Sequence, residues 1–220
     1  MEAVADDPGR RVRKRLQMLL HLSQTGARLF EQYGYDAVTM EQIARQADVA
    51  KRTLYNHFPT KEALLAYWMD GQLQRDLAGL QKDVARRRTF QSRVACILDA
   101  SAAWCQAHPA YLAAYLKHRF LGMGNDDATV RNEQAGDIAV AWRHLIAAGQ
   151  QAGELSKTLS ADQLAACFHH LYLGALLRWL NEPGISLAAE FRAITKLFLE
   201  GAATPGRQAG SRQATGPARR

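Results

Sequence analysis

The stretch TMEQIARQADVAKRTLYNHFP, residues 39–59, constrains the fold more than any other part of the chain. Thr39 and Gln42 have the spacing of a capping box, in which each side chain bonds the other's backbone amide, so a helix starts there. Pro59 ends a second helix, because proline cannot continue the hydrogen-bond ladder and pushes the residue before it toward extended backbone. The two segments, 39–47 and 51–58, are joined by a turn of about three residues, the spacing of a helix-turn-helix. Ile43, Ala44, Val49, Leu54 and Phe58 supply a small core between them, with Ala44 small where the helices cross. Burying Leu54 and Phe58 turns Arg52, Tyr55 and Asn56 outward. Arg52 and Asn56 are four apart and share a face. A solvated polar face is the competing reading of the same pattern.

The outward set suits DNA. A helix fits the major groove, where arginine pairs with guanine and asparagine with adenine. Thr53, Tyr55, His57 and Lys61 are placed for the flanking phosphates, with Lys51 in the same basic run. Thr39, at a helix N-terminus, can add a backbone-amide contact to a phosphate. Residues 10–61 carry ten Lys/Arg against four Asp/Glu, residues 62–200 are balanced, and 201–220 are basic. A basic head on a neutral body points to a polyanion, although charge alone fits a solvated face equally well.

The remaining sequence is helical in period. Leu19, Leu22, Leu29 and Phe30 recur between Arg10 and Tyr33, and Gly34 stops that helix. Thr60 caps a long helix carrying Leu64, Trp68, Leu73, Leu77, Leu80 and Val84, with Arg86, Arg87 and Arg88 at its negative pole. Further helices are expected around Phe90–Trp104, from Pro109 to Phe120, around Ile138–Ala148, from the Ser160 cap to Asn181, and over Leu187–Phe198. Residues 1–9 read as a flexible lead, 122–127 as a loop, and the chain after Glu200 as a disordered basic tail. No alternating strand pattern occurs, so the fold class is all-α. The expected organisation is a helix-turn-helix domain over 10–60, a helical body over 61–200 and the tail over 201–220. No apolar run approaches the roughly 18 residues a membrane helix needs. Cys96, Cys105 and Cys167 are odd in number and widely spaced, which fits a reducing cytoplasm.

The segment GYDAVTMEQIARQADVAKRTLYNHFPTKEALL, residues 34–65, resembles the signature of the tetracycline-repressor (TetR/AcrR) family of bacterial transcription regulators. AAGQQAGEL and LYLGALLRWLNEPG resemble it more loosely. The resemblance implies roughly nine helices, a cytoplasmic, nucleoid-associated homodimer, and two recognition helices about 34–36 Å apart on a palindromic operator. It also implies repression relieved by a small ligand held in the body, and an interface formed by the last two long helices. Three departures stand out. Asp48 replaces the usual turn glycine, Ala50 replaces a capping serine at a cost of about 1 kcal/mol, and Gly26 replaces an alanine at a similar cost. Together they predict a loose reading head.

The body is rich in aromatic residues. Trp104, Tyr115, His118, Trp142 and Tyr172 are the candidate lining of a pocket for an apolar or aromatic effector, against the alternative that each is ordinary core. Arg119, Arg143, His144, His169 and Arg178 are candidate anchors. His169 and His170 point about 100° apart on a helix of 3.6 residues per turn and cannot share a metal. Cys105 and His108 lack further ligands for zinc. There is no phosphate loop, nucleophile elbow or catalytic carboxylate pair, so neither a cofactor nor an enzyme activity is expected. The alternative to a ligand-responsive repressor is a helical small-molecule- or partner-binding protein with only non-specific nucleic-acid contacts.

Overall fold

A computed structural model describes residues 8–121 and 138–202. Among the described residues the chain is all-α, with an N-terminal helix-turn-helix followed by a helical C-terminal part. The helices are α1 Pro8–Tyr33, α2 Met40–Gln46, α3 Lys51–His57, α4 Lys61–Arg86, α5 Phe90–Ala107, α6 Pro109–Leu121, α7 Ile138–Gln151, α8 Ala161–Asn181 and α9 Leu187–Ala202. The loop expected at 122–127 lies outside the described residues, as do residues 1–7 of the lead and the tail beyond Ala202. The lead is shorter than expected: Pro8 already belongs to α1, since its fixed φ and missing N–H suit a first helical position.

The chain divides into two compact units, Met1–Asp76 with Ala107–Gly136, and Leu77–Gln106 with Asp137–Arg220. In the first unit α1 packs on α2 and α2 on α3, with Leu19, Leu22, Ala27 and Phe30 of α1, Ile43 and Ala44 of α2 and Leu54 of α3 all buried. Phe58 and Leu64, Leu65 and Met69 of α4 complete this core. Burying each such large side chain contributes about 1.5–3 kcal/mol. That matters for α2 and α3, which have seven residues each and would be marginal as isolated helices in water. Tyr35 and Tyr111 extend the core, their rings edge-on to Phe30 at 5.0 and 6.3 Å.

The local signals behave as their chemistry requires. Thr39 Oγ1 accepts from the Gln42 amide at 3.2 Å and the Thr39 amide donates to Gln42 Oε1 at 2.7 Å. Thr60 Oγ1 accepts from the Ala63 amide, and Ser160 and Gln163 form a second capping box. Gly34 takes φ +85°, the left-handed conformation in which its amide closes α1 on Phe30 O. The first-unit core also gives Gly26 a role that its weak helix propensity hides. A Cβ at Gly26 would stand 2.5 Å from Leu64 Cδ2. The missing side chain is what lets α1 approach α4, so this position tightens the head rather than loosening it.

In the second unit α8 packs on α7 and α9. Its centre is aromatic: Trp142 lies edge-on to Phe168 at 5.0 Å, and Tyr172 stacks on Phe191 at 5.4 Å. Phe198 meets Phe168 and Phe90. Glu154 Oε2 accepts from the Phe90 amide at 2.7 Å, placing a negative charge at the positive pole of α5. Gln150 donates to Ser156 O and Leu159 O, both at 2.8 Å, and so ties down the segment before α8. Arg178 bridges Glu182 and, on α9, Glu190. Leu176 of α8 is 2% exposed and belongs to the core of its own chain.

Candidate nucleic-acid interface and effector region

The turn between α2 and α3 is Ala47-Asp48-Val49. Asp48 adopts φ +54°, a left-handed conformation that aspartate tolerates better than most side chains. The turn is closed by the Val49 amide on Ala44 O at 3.0 Å and the Asp48 amide on Arg45 O at 3.2 Å. His21, on α1, contacts Ala47 O through Nε2 at 3.1 Å and braces the same corner. Ala50 has the extended backbone of an N-cap but gives α3 no side-chain bond. α3 then buries Leu54 and ends at Phe58, which is extended before Pro59. Lys51, Arg52, Tyr55 and Asn56 are exposed as a consequence, and Thr53 and His57 are half-buried. Arg52 and Asn56 occupy one solvent-facing stripe, where they can reach base edges.

Two residues of this region have partners that sequence reasoning missed. Glu41, in the first turn of α2, accepts from Tyr55 Oη at 3.4 Å and pairs with Lys51 Nζ at 3.6 Å. The Glu41 backbone amide, and after it Lys51 and Tyr55, hold the Glu41 carboxyl below the usual carboxylate range. Lys61, expected to serve a phosphate, donates instead to Tyr35 O at 2.7 Å and Val38 O at 2.9 Å. Its ammonium also lies 4.3 Å from the centre of the Tyr35 ring. Two of its three N–H groups therefore hold the loop that leads to Thr39. His57 is held below its ordinary pKa by partial burial and then by the positive charge of Arg15.

The five candidate effector residues fall in both units. Tyr115 and His118 belong to the first. Tyr115 Oη donates to Asp70 Oδ1 at 2.9 Å and accepts from Arg119 Nε at 3.1 Å, while Arg119 Nη2 pairs with Asp70 at 2.9 Å. Burial and the Asp70 carboxylate push the Tyr115 phenol up. Burial and the Arg119 charge hold His118 below its ordinary value. Trp104, Trp142 and Tyr172 belong to the second unit. Trp142 is fully buried, its ring 5.8 Å from that of Tyr172, and its Nε1 has no hydrogen-bond partner among the described residues. Tyr172 Oη shares a hydrogen bond with Ser101 Oγ at 2.8 Å. A cleft of about 550 Å³ opens in this unit between α5 and α9, over Leu98, Phe191 and Leu199. None of the five candidates lines it. Of the candidate anchors, Arg119 and Arg178 are engaged by carboxylates, and Arg143 pairs with Asp162 at 3.6 Å. Burial pushes the Cys105 thiol up to about 11. No group of three or more metal-ligating side chains and no helix long and apolar enough to cross a membrane occurs among the described residues.

Comparison with known proteins agrees with this geometry. Residues 22–67 match the model of the bacterial regulatory proteins of the tetR family. The HTH-type transcriptional repressor KstR2 of Rhodococcus jostii (strain RHA1) is 25% identical over 207 residues, covering 91% of this chain and 97% of the relative. Thermus thermophilus FadR, a repressor solved with lauroyl-CoA, shares the fold with a TM-score of 0.66 at 23% identity, over 91% of this chain and 99% of that one. Bacillus subtilis FadR, solved with stearoyl-CoA, shares it at 0.60 and 19% identity, over 83% and 98%. The left-handed turn at Asp48, the stripe bearing Arg52 and Asn56 and the match over residues 22–67 lead to one conclusion: the helix-turn-helix part of the chain is that of the tetR family of bacterial regulatory proteins.

Proposed function

We propose that this regulator is a ligand-responsive repressor that binds a palindromic operator as a homodimer. The observation that carries the reading is the solvent-facing stripe of α3, Arg52 and Asn56, held outward by buried Leu54 and Phe58. In the groove, Arg52 would pair with guanine and Asn56 with adenine. Lys51, Thr53, Tyr55, His57 and Thr39 would hold phosphates on either side and set the register, with Lys61 fixing the loop that carries Thr39. The reading head is proposed to span 10–60 and the effector-binding body 61–200. Dimerisation is supported by exposed small and apolar residues on two packed helices: Ala166 and Gly174 on α8, and Ala189, Ala193 and Leu197 at four-residue spacing on α9. Stripes of this kind need a cover.

The effector is proposed to have an apolar body and at least one hydrogen-bond acceptor. The aromatic centre of the second unit supports the first property. The buried Trp142 N–H supports the second, because an orphaned donor costs about 1–3 kcal/mol until an acceptor reaches it. The lauroyl-CoA and stearoyl-CoA complexes of the two FadR proteins are consistent with an apolar ligand. Such a ligand releases DNA only through its differential affinity for the DNA-bound and free forms. Coupling of about 1–3 kcal/mol gives a roughly 5–150-fold loss of operator affinity, and operator must weaken the ligand by the same factor.

The test begins with protection mapping of palindromes near the chain's own reading frame. A ligand found by tryptophan quenching is then titrated with and without the protected duplex. Protection of a two-fold site and unequal ligand affinities are expected. Protection without sequence preference would favour a helical binding protein with non-specific nucleic-acid contacts. Equal ligand affinities would remove the effector from the mechanism.

A further inference from the structure

We propose that the first two turns of α1 form a second DNA-backbone contact, in which Arg11 and Arg15 bind phosphates flanking the base pairs read by α3. The inference rests on the reading of α3 as a recognition helix. Arg10, Arg11, Arg13, Lys14 and Arg15 put five cations into six residues, and every residue from Gly9 to Arg15 is exposed. The first buried residue of α1 is Leu19. The helix therefore runs on for about 10 Å, at 1.5 Å per residue, without burying anything fully. Val12 shows the overshoot: it lies seven residues before Leu19, on the stripe that enters the core further along, yet is 51% exposed.

No fully buried side chain accounts for this segment, and it sets like charges on successive turns. Arg10 with Lys14, and Arg11 with Arg15, are like-charged pairs at four-residue spacing, which destabilise a free helix. A polyanion laid along the face reverses the sign of that interaction. The field of Arg15 reaches His57, the last residue of α3, and lowers its pKa after burial has done so. On the same helix His21 contacts Ala47 O at 3.1 Å, in the turn that leads into α3, so α1 lies against that corner and its cations can continue the basic surface of α3. A membrane would also attract five cations. Continuity with the groove-reading helix is what favours DNA, since phosphates flank every groove that α3 could occupy.

The test needs no knowledge of the operator, because phosphate binding is sequence-independent. The full chain is titrated into a labelled random-sequence duplex of about 30 base pairs at about 50–200 mM salt, where each phosphate the protein no longer neutralises removes roughly 0.9 from the log–log slope. Arg11→Gln with Arg15→Gln should flatten the slope by about 2 per bound subunit. Arg11→Lys with Arg15→Lys should keep it. Arg88→Gln with Lys157→Gln, two exposed positions in the other unit, changes net charge equally and should also keep it. An unchanged slope in the first variant, or an equal flattening in the Arg88/Lys157 control, overturns the proposal while leaving the role of α3 intact. Absence of any binding by the unsubstituted protein at the lowest salt overturns both together.

Discussion

Single side chains decide how available the DNA-reading surface is. Glu41 holds Tyr55 and Lys51, two groups proposed to bind phosphates. On that proposal its carboxylate competes with DNA for both. Glu41→Gln should therefore tighten binding to operator and random duplex alike, several-fold at low salt and less at high salt, where exposed charges are screened. Fluorescence anisotropy over a salt series reads this, and no change at low salt would show that DNA displaces the Glu41 carboxylate without cost. Arg15 makes a second prediction at this scale. A cation beside an imidazole disfavours the imidazolium, so Arg15→Gln should raise the His57 pKa toward its ordinary value. The sign also fixes a stability effect. The depressed His57 pKa means the unfolded chain takes up the proton first, so this contribution is full above the ordinary histidine range and is lost as pH falls through it. An NMR titration of the His57 ring, with and without the substitution, measures the shift. An unmoved pKa would leave burial as its sole cause.

At the scale of the helix, the two sequence departures in the head have opposite consequences. Ala50 has the φ and ψ of an N-cap and lacks only the side-chain acceptor. Ala50→Ser should supply it and stabilise the head by about 0.5–2 kcal/mol, read as a higher midpoint in denaturant. An unchanged midpoint would mean solvent already serves the first amides of α3. Gly26→Ala weighs two magnitudes. The helix gains about 1 kcal/mol from propensity, while forcing a methyl against Leu64 in a packed core costs about 1–3 kcal/mol. Leu64 is itself fully buried and has little room to retreat. The net expectation is a lower melting temperature. A higher one would show that α1 and α4 can separate without loss, and that Gly26 carries only its propensity penalty.

For the whole molecule, the proposed homodimer raises the question of which apolar residues would face a second copy. Leu197 is 60% exposed and Leu176 is 2% exposed. Leu197→Glu should weaken the dimer with little change in secondary structure, shifting sedimentation toward monomer and reducing operator affinity. Leu176→Ala should instead cost about 2–5 kcal/mol of folding stability through the cavity it leaves. An unchanged dimer in the Leu197 variant would move the interface off the α8–α9 face.

The elements are legible in the sequence because their signals are local. A capping box reaches from Thr39 to Gln42, a left-handed stop sits at Gly34, and Pro59 acts on the residue beside it. Each depends on chemistry within about four positions, and so does the outward set of α3 once Leu54 and Phe58 are buried. The packing partners are not legible. Gly26 reads as a weak helix former until Leu64, far along the chain, fills the space its side chain would need. Lys61 reads as a phosphate ligand until the carbonyls of Tyr35 and Val38 take two of its protons. Leu176 on α8 and Leu197 on α9 are equally apolar, and periodicity alone cannot say which of them its own chain covers. Tyr115 and Trp142 look alike as pocket candidates, yet they belong to different compact units. Local hydrogen bonding and hydrophobic period determined the helices and the reading face. Which side chains meet across helices depends on contacts between residues remote in sequence, and only the tertiary structure decided those.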